Sequence, residues 1–191
     1  MQGDNAVSHQ EFVKRYLTNL TLTWKDIEDV RRQWDGPVYI KGILTPEDAR
    51  RAQKVGAQGI YVSNHGGRQL DSSPSTISVL PEIVDAVGED MTVVFDSGVR
   101  TGDDIAKALA VGADLVSIGR AWGYGNAAAG ERGVLRVLEI LDEEVELAMG
   151  QLGAISIDAL DRGFVDYPEA WHGVGRHREP ESGEVPAEVI A

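Results

Sequence analysis

The sequence predicts a parallel α/β fold, and two observations lead to that prediction. Four short apolar segments recur along the chain, at residues 38–42, 59–63, 92–96 and 115–119. Their continuous rather than alternating apolarity is typical of strands buried on both faces of a parallel sheet. Each segment is followed by a glycine-containing or polar turn and then by a helical pattern. Together these features predict repeated βα units.

The connecting segments carry signals for helix starts and ends. Residues 45–48 (TPED) offer an N-cap, a proline at the first helical position and acidic residues in the first turn, and residues 101–104 (TGDD) repeat this logic. Gly56 and Gly112 are placed to end two helices. Further helices are predicted over residues 11–33, with Trp24 opening a second piece, and over residues 134–152.

Composition limits the classes of protein and of partner. The 191 residues are 42% hydrophobic and include no cysteine, which excludes disulfides, thiolate metal sites and a cysteine nucleophile. A net charge of −13 argues against nucleic acid as a partner, and the acidic balance resembles that of salt-adapted proteins. We see no apolar run long enough for a membrane span and no signal-peptide pattern, so we expect a cytoplasmic protein.

We expect three regions along the chain. Residues 1–35 form a helical lead-in, residues 36–167 form the βα units with their C-terminal helices, and residues 168–191 form a mobile tail rich in Gly, Glu and Pro.

Polar side chains follow every predicted strand at its carboxyl end, where parallel α/β barrels carry their functional groups. One such residue means little, but a polar group after each of four successive strands predicts a site at this edge. The residues are Lys41 after the first strand, Ser63, His65 and Arg68 after the second, Asp96, Ser97, Gly98 and Arg100 after the third, and Gly119 and Arg120 after the fourth.

Residues 63–71 (SNHGGRQLD) are the most informative stretch, because they set an imidazole and a guanidinium close together on a glycine-rich turn. An imidazole can exchange a proton near neutral pH. A guanidinium can bind a carboxylate through two parallel hydrogen bonds. The pair His65 and Arg68 therefore indicates chemistry on a small organic acid.

The last two units predict a phosphate site. Residues 96–102 (DSGVRTG) form a glycine-rich turn that runs into a helix N-terminus, where we expect free N–H groups to favour an anion. Gly119 and Arg120 add a second close backbone approach with a guanidinium, and the last two loops of a (βα)8 barrel are the usual phosphate site.

These motifs, in this order, resemble the FMN-dependent α-hydroxy-acid oxidases and dehydrogenases, which include the glycolate, lactate and mandelate enzymes. The motifs that carry the resemblance are residues 41–42 (KG), 63–71, 96–100 (DSGVR) and 118–120 (IGR), and the similarity runs from about residue 12 to about residue 157. Ser97 stands where many members carry glycine. The resemblance implies that the chain is the C-terminal half, about strands five to eight, of a TIM (β/α)8 barrel.

The resemblance also implies a role for each site residue in the oxidation of a small L-2-hydroxy acid, of lactate or glycolate type, to the 2-oxo acid. His65 is implied as the catalytic base and Arg68 as the group that binds the substrate carboxylate. The remaining residues are implied to bind FMN: Lys41 and Ser63 at the flavin ring, Asp96 at the ribityl hydroxyls, and Gly98, Arg100, Gly119 and Arg120 at the phosphate. Ser97 is implied to bind the cofactor as well.

Structural alternatives remain open for most of these residues. They are a hydrogen-bonded turn role for His65, an ion pair of Arg68 with Asp71, an ion pair of Lys41 with a neighbouring carboxylate, a helix-capping pair of Asp96 and Arg100, and a surface position for Arg120. Trp122 and Tyr124 are expected to be packing residues.

The chain looks truncated, because four predicted βα units are half of the eight in a complete barrel. We therefore expect weak or no activity from this chain alone. The alternative is a non-catalytic half-barrel that binds FMN or phosphate and works only as a homo-oligomer or with a separate N-terminal barrel half. A different phosphate-binding barrel enzyme, such as an isomerase, is disfavoured by the His/Arg motif. Neither the particular hydroxy acid nor the electron acceptor follows from the sequence.

Overall fold

The computed structural model describes residues 21–166 and residue 168. The chain divides into two units, residues 1–36 and residues 37–191, which are described separately. In the first unit, helix α1 covers Trp24–Gln33, and the Asp26 carboxylate accepts a hydrogen bond of 2.7 Å from the backbone N–H of Thr23. The predicted helix start at Trp24 is confirmed. The helical pattern at residues 11–20 and almost all of the expected tail lie outside the described residues.

The second unit alternates strands and helices from its start. Its elements are β1 (Tyr39–Ile43), α2 (Pro46–Lys54), β2 (Gly59–Val62), α3 (Thr76–Val87), β3 (Thr92–Asp96), α4 (Gly102–Val111), β4 (Leu115–Ser117) and α5 (Arg120–Leu152). Single turns of 3-10 helix cover His65–Gly67, Gly88–Asp90, Ile157–Ala159 and Arg162–Phe164. The helix starts at residues 45–48 and 101–104 are confirmed, because the Thr45 and Thr101 hydroxyls cap α2 and α4.

The four strands form one parallel sheet in the order β1-β2-β3-β4. Its register aligns Lys41 with Tyr61, and Asp96 with Ser117. Because every strand runs in the same direction, all four carboxyl ends meet at one edge, which is where the sequence predicts the site. The parallel α/β class is therefore confirmed.

The core lies between the sheet and the helices that cover its outer face. Ile60 of β2 and Val93 of β3 are buried beneath α3, whose Val79, Leu80 and Ile83 are fully buried. A smaller cluster joins α4, α5 and the segment after α5, with Ala106, Ala110, Ala148, Ala154 and Leu160 as its buried members. The helices thus hold the sheet rigid from one side.

The opposite face of the sheet carries large side chains that are only partly covered. Tyr39 of β1 is 42% exposed and Leu115 of β4 is 56% exposed. The rings of Tyr39 and Tyr61 meet edge to face with their centroids 6.3 Å apart.

Helix α5 begins earlier than the sequence pattern indicates. The prediction placed its start at residue 134, but helical structure begins at Arg120 and is interrupted at Ala129 and Gly130, whose backbone angles are not helical. The prediction missed the segment before the break because that segment is rich in glycine and alanine, whereas the amphipathic pattern lies after the break. No helix among residues 21–166 is both long enough and apolar enough to cross a membrane.

Candidate active site

The carboxyl ends of the strands open into a cleft of about 870 Å³. Nine of the ten site residues predicted from the sequence line it: Lys41, His65, Arg68, Asp96, Ser97, Gly98, Arg100, Gly119 and Arg120. The tenth, Ser63, is fully buried beneath the cleft and hydrogen-bonds to residues in its wall. The fold thus brings all of the predicted residues to one place.

Charge and hydroxyl groups from three neighbouring strand ends converge on Asp96. The Lys41 Nζ lies 2.6 Å from Asp96 Oδ2, and the Ser97 hydroxyl donates to the same oxygen at 3.0 Å. The Ser63 hydroxyl also donates to Oδ2 and accepts a hydrogen bond of 2.8 Å from Lys41. Within the described residues no donor contacts Oδ1, so one carboxylate oxygen remains for a ligand. The open alternative for Lys41, an ion pair with a neighbouring carboxylate, is therefore realised, whereas the suggested pairing of Asp96 with Arg100 is not.

The environment of Asp96 favours its ionised form. Partial burial by itself disfavours the charge, but the hydrogen bonds from Lys41, Ser63 and Ser97 and the positive charge of Lys41 outweigh burial, so the pKa of Asp96 is lowered from its ordinary value of 3.8. The carboxylate of Asp96 therefore stays ionised at neutral pH.

His65 sits in a tight turn directly after β2. Its φ of 55° places it in the left-handed region, and Gly66 and Gly67 follow there with φ of 66° and 76°. The imidazole packs closely against β1, since a Cβ added at Gly42 would lie 3.3 Å from the His65 Cε1. Gly42 itself has a φ of 102° at an irregularity in the pairing of β1 with β2. A glycine at position 42 thus leaves room for the imidazole.

Three side chains hydrogen-bond to the backbone N–H and carbonyl of Gly66. Its N–H donates to the Asn64 Oδ1 at 2.9 Å and to the Ser97 hydroxyl at 3.1 Å, and its carbonyl accepts from the Arg120 Nη2 at 3.3 Å. The Asn64 amide is in turn fixed by the carbonyl of Pro74, at 3.0 Å. Residues from the loops after β3 and β4 therefore support the turn that carries His65.

Arg68 is exposed at the cleft and keeps its guanidinium unpaired. Among the described residues no carboxylate lies within ion-pair distance of it, so the alternative of an Arg68–Asp71 ion pair is not realised. An unpaired guanidinium beside an imidazole is suited to binding a small carboxylate.

The N-terminus of α4 does not offer the free N–H groups that the sequence led us to expect. The Asp104 carboxylate accepts from the backbone N–H of Arg100 and Thr101, at 2.9 and 3.1 Å. Glu144 of α5 accepts from the N–H of Gly102 at 2.7 Å. Two carboxylates of the chain itself already occupy this helix end, and they would repel an added anion. The spacing of Thr101 and Asp104 is that of a capping box, so their contact could have been predicted from the sequence. The contact of Gly102 with Glu144 could not, because the two residues are 42 positions apart.

The N-terminus of α5 is free where that of α4 is blocked. Its N-cap is Gly119, which has no side chain, and no side chain of the described residues accepts from the N–H groups of Arg120, Ala121 or Trp122. A Cβ at Gly98 or at Gly119 would meet nothing within 4 Å, so backbone on both sides is open to a ligand. Free N–H groups at a helix N-terminus favour an anion.

Trp122 and Tyr124 differ from their expected role as packing residues. Both line the cleft, and they are 47% and 71% exposed. Because they lie on the first turns of α5, they are positioned by the same helix end that offers its N–H groups to the cleft.

Comparison with known proteins identifies the family. The model of the FMN-dependent dehydrogenases matches residues 1–167. The chain belongs to the FMN-dependent dehydrogenase family. The predicted fold class is confirmed as well, since the solved relatives are TIM-barrel enzymes that this chain covers in part.

The relatives include curated enzymes and solved structures. An L-lactate dehydrogenase of Chromohalobacter salexigens is 54% identical over 140 residues, which is 73% of this chain and 36% of that protein. An L-lactate dehydrogenase of Pseudomonas aeruginosa is 54% identical over 137 residues, which is 72% of this chain and 36% of that protein. A mandelate oxidase mutant with the monooxide FMN adduct has a TM-score of 0.71 and 51% identity, over 74% of this chain and 45% of that one. The chain thus matches little more than a third of the length of the curated family members.

Proposed function

We propose that this family member takes part in the FMN-dependent oxidation of a small L-2-hydroxy acid to the corresponding 2-oxo acid. The observation that carries the proposal is the arrangement of His65 and Arg68 on one short turn at the cleft, which the N-terminus of α5 also lines. Among the described residues, no carboxylate pairs with the Arg68 guanidinium. The curated relatives are named L-lactate dehydrogenases and the solved ones mandelate oxidases, which favours lactate and mandelate as the substrates to test.

The residues of the cleft fit FMN. The free N-terminus of α5, with Arg120 and Arg100 beside it and open backbone at Gly98 and Gly119, suits a phosphate. Asp96 Oδ1, which no donor among the described residues contacts, suits a sugar-type hydroxyl donor, and the Lys41 side chain suits a ring edge that gains negative charge. A volume of about 870 Å³ is of the size that holds a cofactor and a small substrate.

The oxidation removes two electrons and two protons from the substrate, as the C–H and O–H bonds at its α-carbon are replaced by a C=O bond. FMN, when bound, would supply the acceptor for the two electrons and for one of the two protons. Arg68 binds the substrate carboxylate and orients the α-carbon. His65 accepts a proton from the substrate and later returns it to solvent, and the tight turn that carries it limits the positions open to its imidazole.

Lys41 and Asp96 play a supporting part. The ion pair keeps the ammonium of Lys41 at the sheet edge, and the lowered pKa of Asp96 keeps the carboxylate ionised as the hydroxy acid reacts. The positive charge of Lys41 would stabilise negative charge that develops on the electron acceptor during the reaction.

The proposal is tested by the absorbance of the FMN-loaded protein under anaerobic conditions. L-lactate or (S)-mandelate is expected to bleach the flavin band of the wild type slowly, because the chain spans only part of the barrel. His65→Gln is expected to keep the band but to lose about 10²- to 10⁴-fold in bleaching rate, the usual contribution of a general base. Arg68→Lys is expected to weaken substrate binding mainly, because an ammonium cannot form the two parallel hydrogen bonds.

Arg51→Gln serves as the matched control, since Arg51 lies on α2 and pairs there with Asp48. A protein that takes up no FMN, or a His65→Gln variant that bleaches at the wild-type rate, would contradict the proposal.

A further inference from the structure

Ser97 adopts a backbone conformation that a serine rarely takes. Its φ is 81°, and within the described residues only His65 shares a positive φ among the non-glycine residues. A side chain in this region costs free energy that a glycine avoids. The N–H of His65 donates to the Ser63 hydroxyl at 3.1 Å, and that hydroxyl donates to Asp96, which is one tie between the loops after β2 and β3. The two strained residues, in these neighbouring loops, are joined by a second and more direct connection.

The Ser97 hydroxyl makes that connection. It donates to Asp96 Oδ2 at 3.0 Å and accepts from the N–H of Gly66, next to His65, at 3.1 Å. A hydroxyl has one hydrogen to donate, so its donor is used by Asp96 while a lone pair holds the turn. The buried Thr76 fixes the Ser97 carbonyl from the other side, at 3.2 Å.

We propose that Ser97 is a positioning residue whose hydroxyl holds the His65–Gly67 turn against the Asp96 carboxylate. Its consequence for catalysis rests on the proposed function, in which His65 is the base. Without the hydroxyl, the Gly66 N–H keeps only Asn64, which belongs to the same turn, and the tie to β3 is left to the His65 N–H through Ser63. The imidazole then moves relative to the substrate, and a displacement of about 1 Å can cost about 10²-fold in rate.

Two substitutions separate the hydroxyl from the backbone strain. Ser97→Ala removes the hydroxyl and keeps a Cβ at positive φ, whereas Ser97→Gly removes the hydroxyl and relieves the strain. Ser78→Ala is the control, because it removes the same hydroxyl from a serine that lies away from the cleft, where the hydroxyl donates within the first turn of α3 to the Ser75 carbonyl at 2.7 Å.

The first readout is hydrogen exchange of the Gly66 amide, which needs no flavin. We expect exchange to accelerate about tenfold in both Ser97 variants, as for the loss of one ordinary hydrogen bond, and not in Ser78→Ala. The second readout is the rate of flavin reduction in FMN-saturated protein, with the KM for the hydroxy acid. We expect a loss of about tenfold to 10²-fold in kcat and a smaller change in KM, in Ser97→Gly as well as in Ser97→Ala.

A merely structural role predicts a different pattern. In that case Ser97→Gly, which relieves strain, would melt at or above the wild-type temperature and would retain the wild-type kcat. That result, or Gly66 exchange unchanged in both variants, overturns the proposal. Should the wild type itself fail to reduce FMN, the proposed function fails, and the Gly66 exchange alone then decides whether Ser97 holds the turn.

Discussion

At the scale of single residues, the main feature is the convergence of three donors on one oxygen of Asp96. Lys41, Ser63 and Ser97 come from separate segments of the chain, and each reaches Oδ2. Because a carboxylate held this way binds protons weakly, its contribution to stability depends on pH. The same oxygen links the ammonium of Lys41 to the turn that carries His65.

Replacing Asp96 by Asn is expected to lower the free energy of unfolding at neutral pH by about 1–3 kcal/mol, because the ion pair and charged hydrogen bonds are lost. The folded-state pKa of Asp96 lies below 3.8, so this advantage of the wild type is complete well above pH 3.8 and is lost as the pH falls through the lowered value. Urea unfolding of both proteins at several pH values measures the difference.

Asp142→Asn is the matched control for this experiment, because Asp142 is exposed on α5. Among the described residues, it forms no ion pair with a residue of the cleft. A wild-type advantage that stays constant into the acid range, or that Asp142→Asn reproduces, would show that the Asp96 cluster does not act as described.

Some of the residue-scale picture follows from the sequence and some does not. The strand-end positions of Lys41, His65 and Arg68 were predictable, because polar residues that end buried strands must lie at one sheet edge. The ties made by Ser97 and Arg120 to Gly66 were not, since they join residues 31 and 54 positions apart and depend on how the loops fold over one another.

At the scale of elements, two helix N-termini face the same edge of the sheet but differ in what occupies them. The amides of Arg100 and Thr101, just before α4, are taken by Asp104, and that of Gly102, its first residue, by Glu144. The first amides of α5 have no side-chain acceptor among the described residues. The sequence predicted phosphate binding at both places, because glycine followed by a helix is visible locally and a distant carboxylate is not. The structure therefore favours α5.

If α5 binds the FMN phosphate, Arg120→Gln is expected to weaken FMN binding about tenfold to 10²-fold, as for a charge-assisted hydrogen bond. Riboflavin lacks the phosphate, so its affinity is expected to change far less. Flavin fluorescence quenching measures both dissociation constants. Equal losses for the two flavins would contradict the assignment, because they would indicate a general disturbance of the cleft through the Gly66 contact.

The contact between α4 and α5 depends on a glycine at position 102. A Cβ there would collide with the Cβ of Glu144 and the backbone of Val145. Gly102→Ala is expected to cost about 1–3 kcal/mol of stability, the usual penalty for overpacking. Gly150→Ala, where a Cβ meets nothing within 4 Å, is expected to stabilise α5 by about 0.5–1 kcal/mol. Chemical denaturation compares the two, and equal effects would contradict the close packing of these helices.

At the scale of the whole molecule, the net charge of −13 dominates. Thirty-one acidic side chains against eighteen basic ones repel one another in the compact state, and dissolved salt screens that repulsion. The acidic balance was read directly from the sequence, because charge counts need no structure.

Salt is therefore expected to stabilise the protein. The melting temperature should rise as KCl increases from about 0.1 M to about 1 M, where the screening length falls from about 10 Å to about 3 Å. Differential scanning calorimetry measures the change. A melting temperature that is constant or falls over this range would contradict a stability limited by acidic self-repulsion.

We propose that this cleft takes part in hydroxy-acid oxidation with FMN and with His65 as the base. The most direct test of this proposal is anaerobic stopped-flow absorbance of the FMN-loaded protein mixed with L-lactate, for the wild type and for His65→Gln. We predict that both proteins show the flavin band, that the wild type bleaches slowly because the chain spans only part of the barrel, and that His65→Gln bleaches about 10²- to 10⁴-fold more slowly still. Bleaching of His65→Gln at the wild-type rate, or a wild type that ignores added FMN, would contradict it.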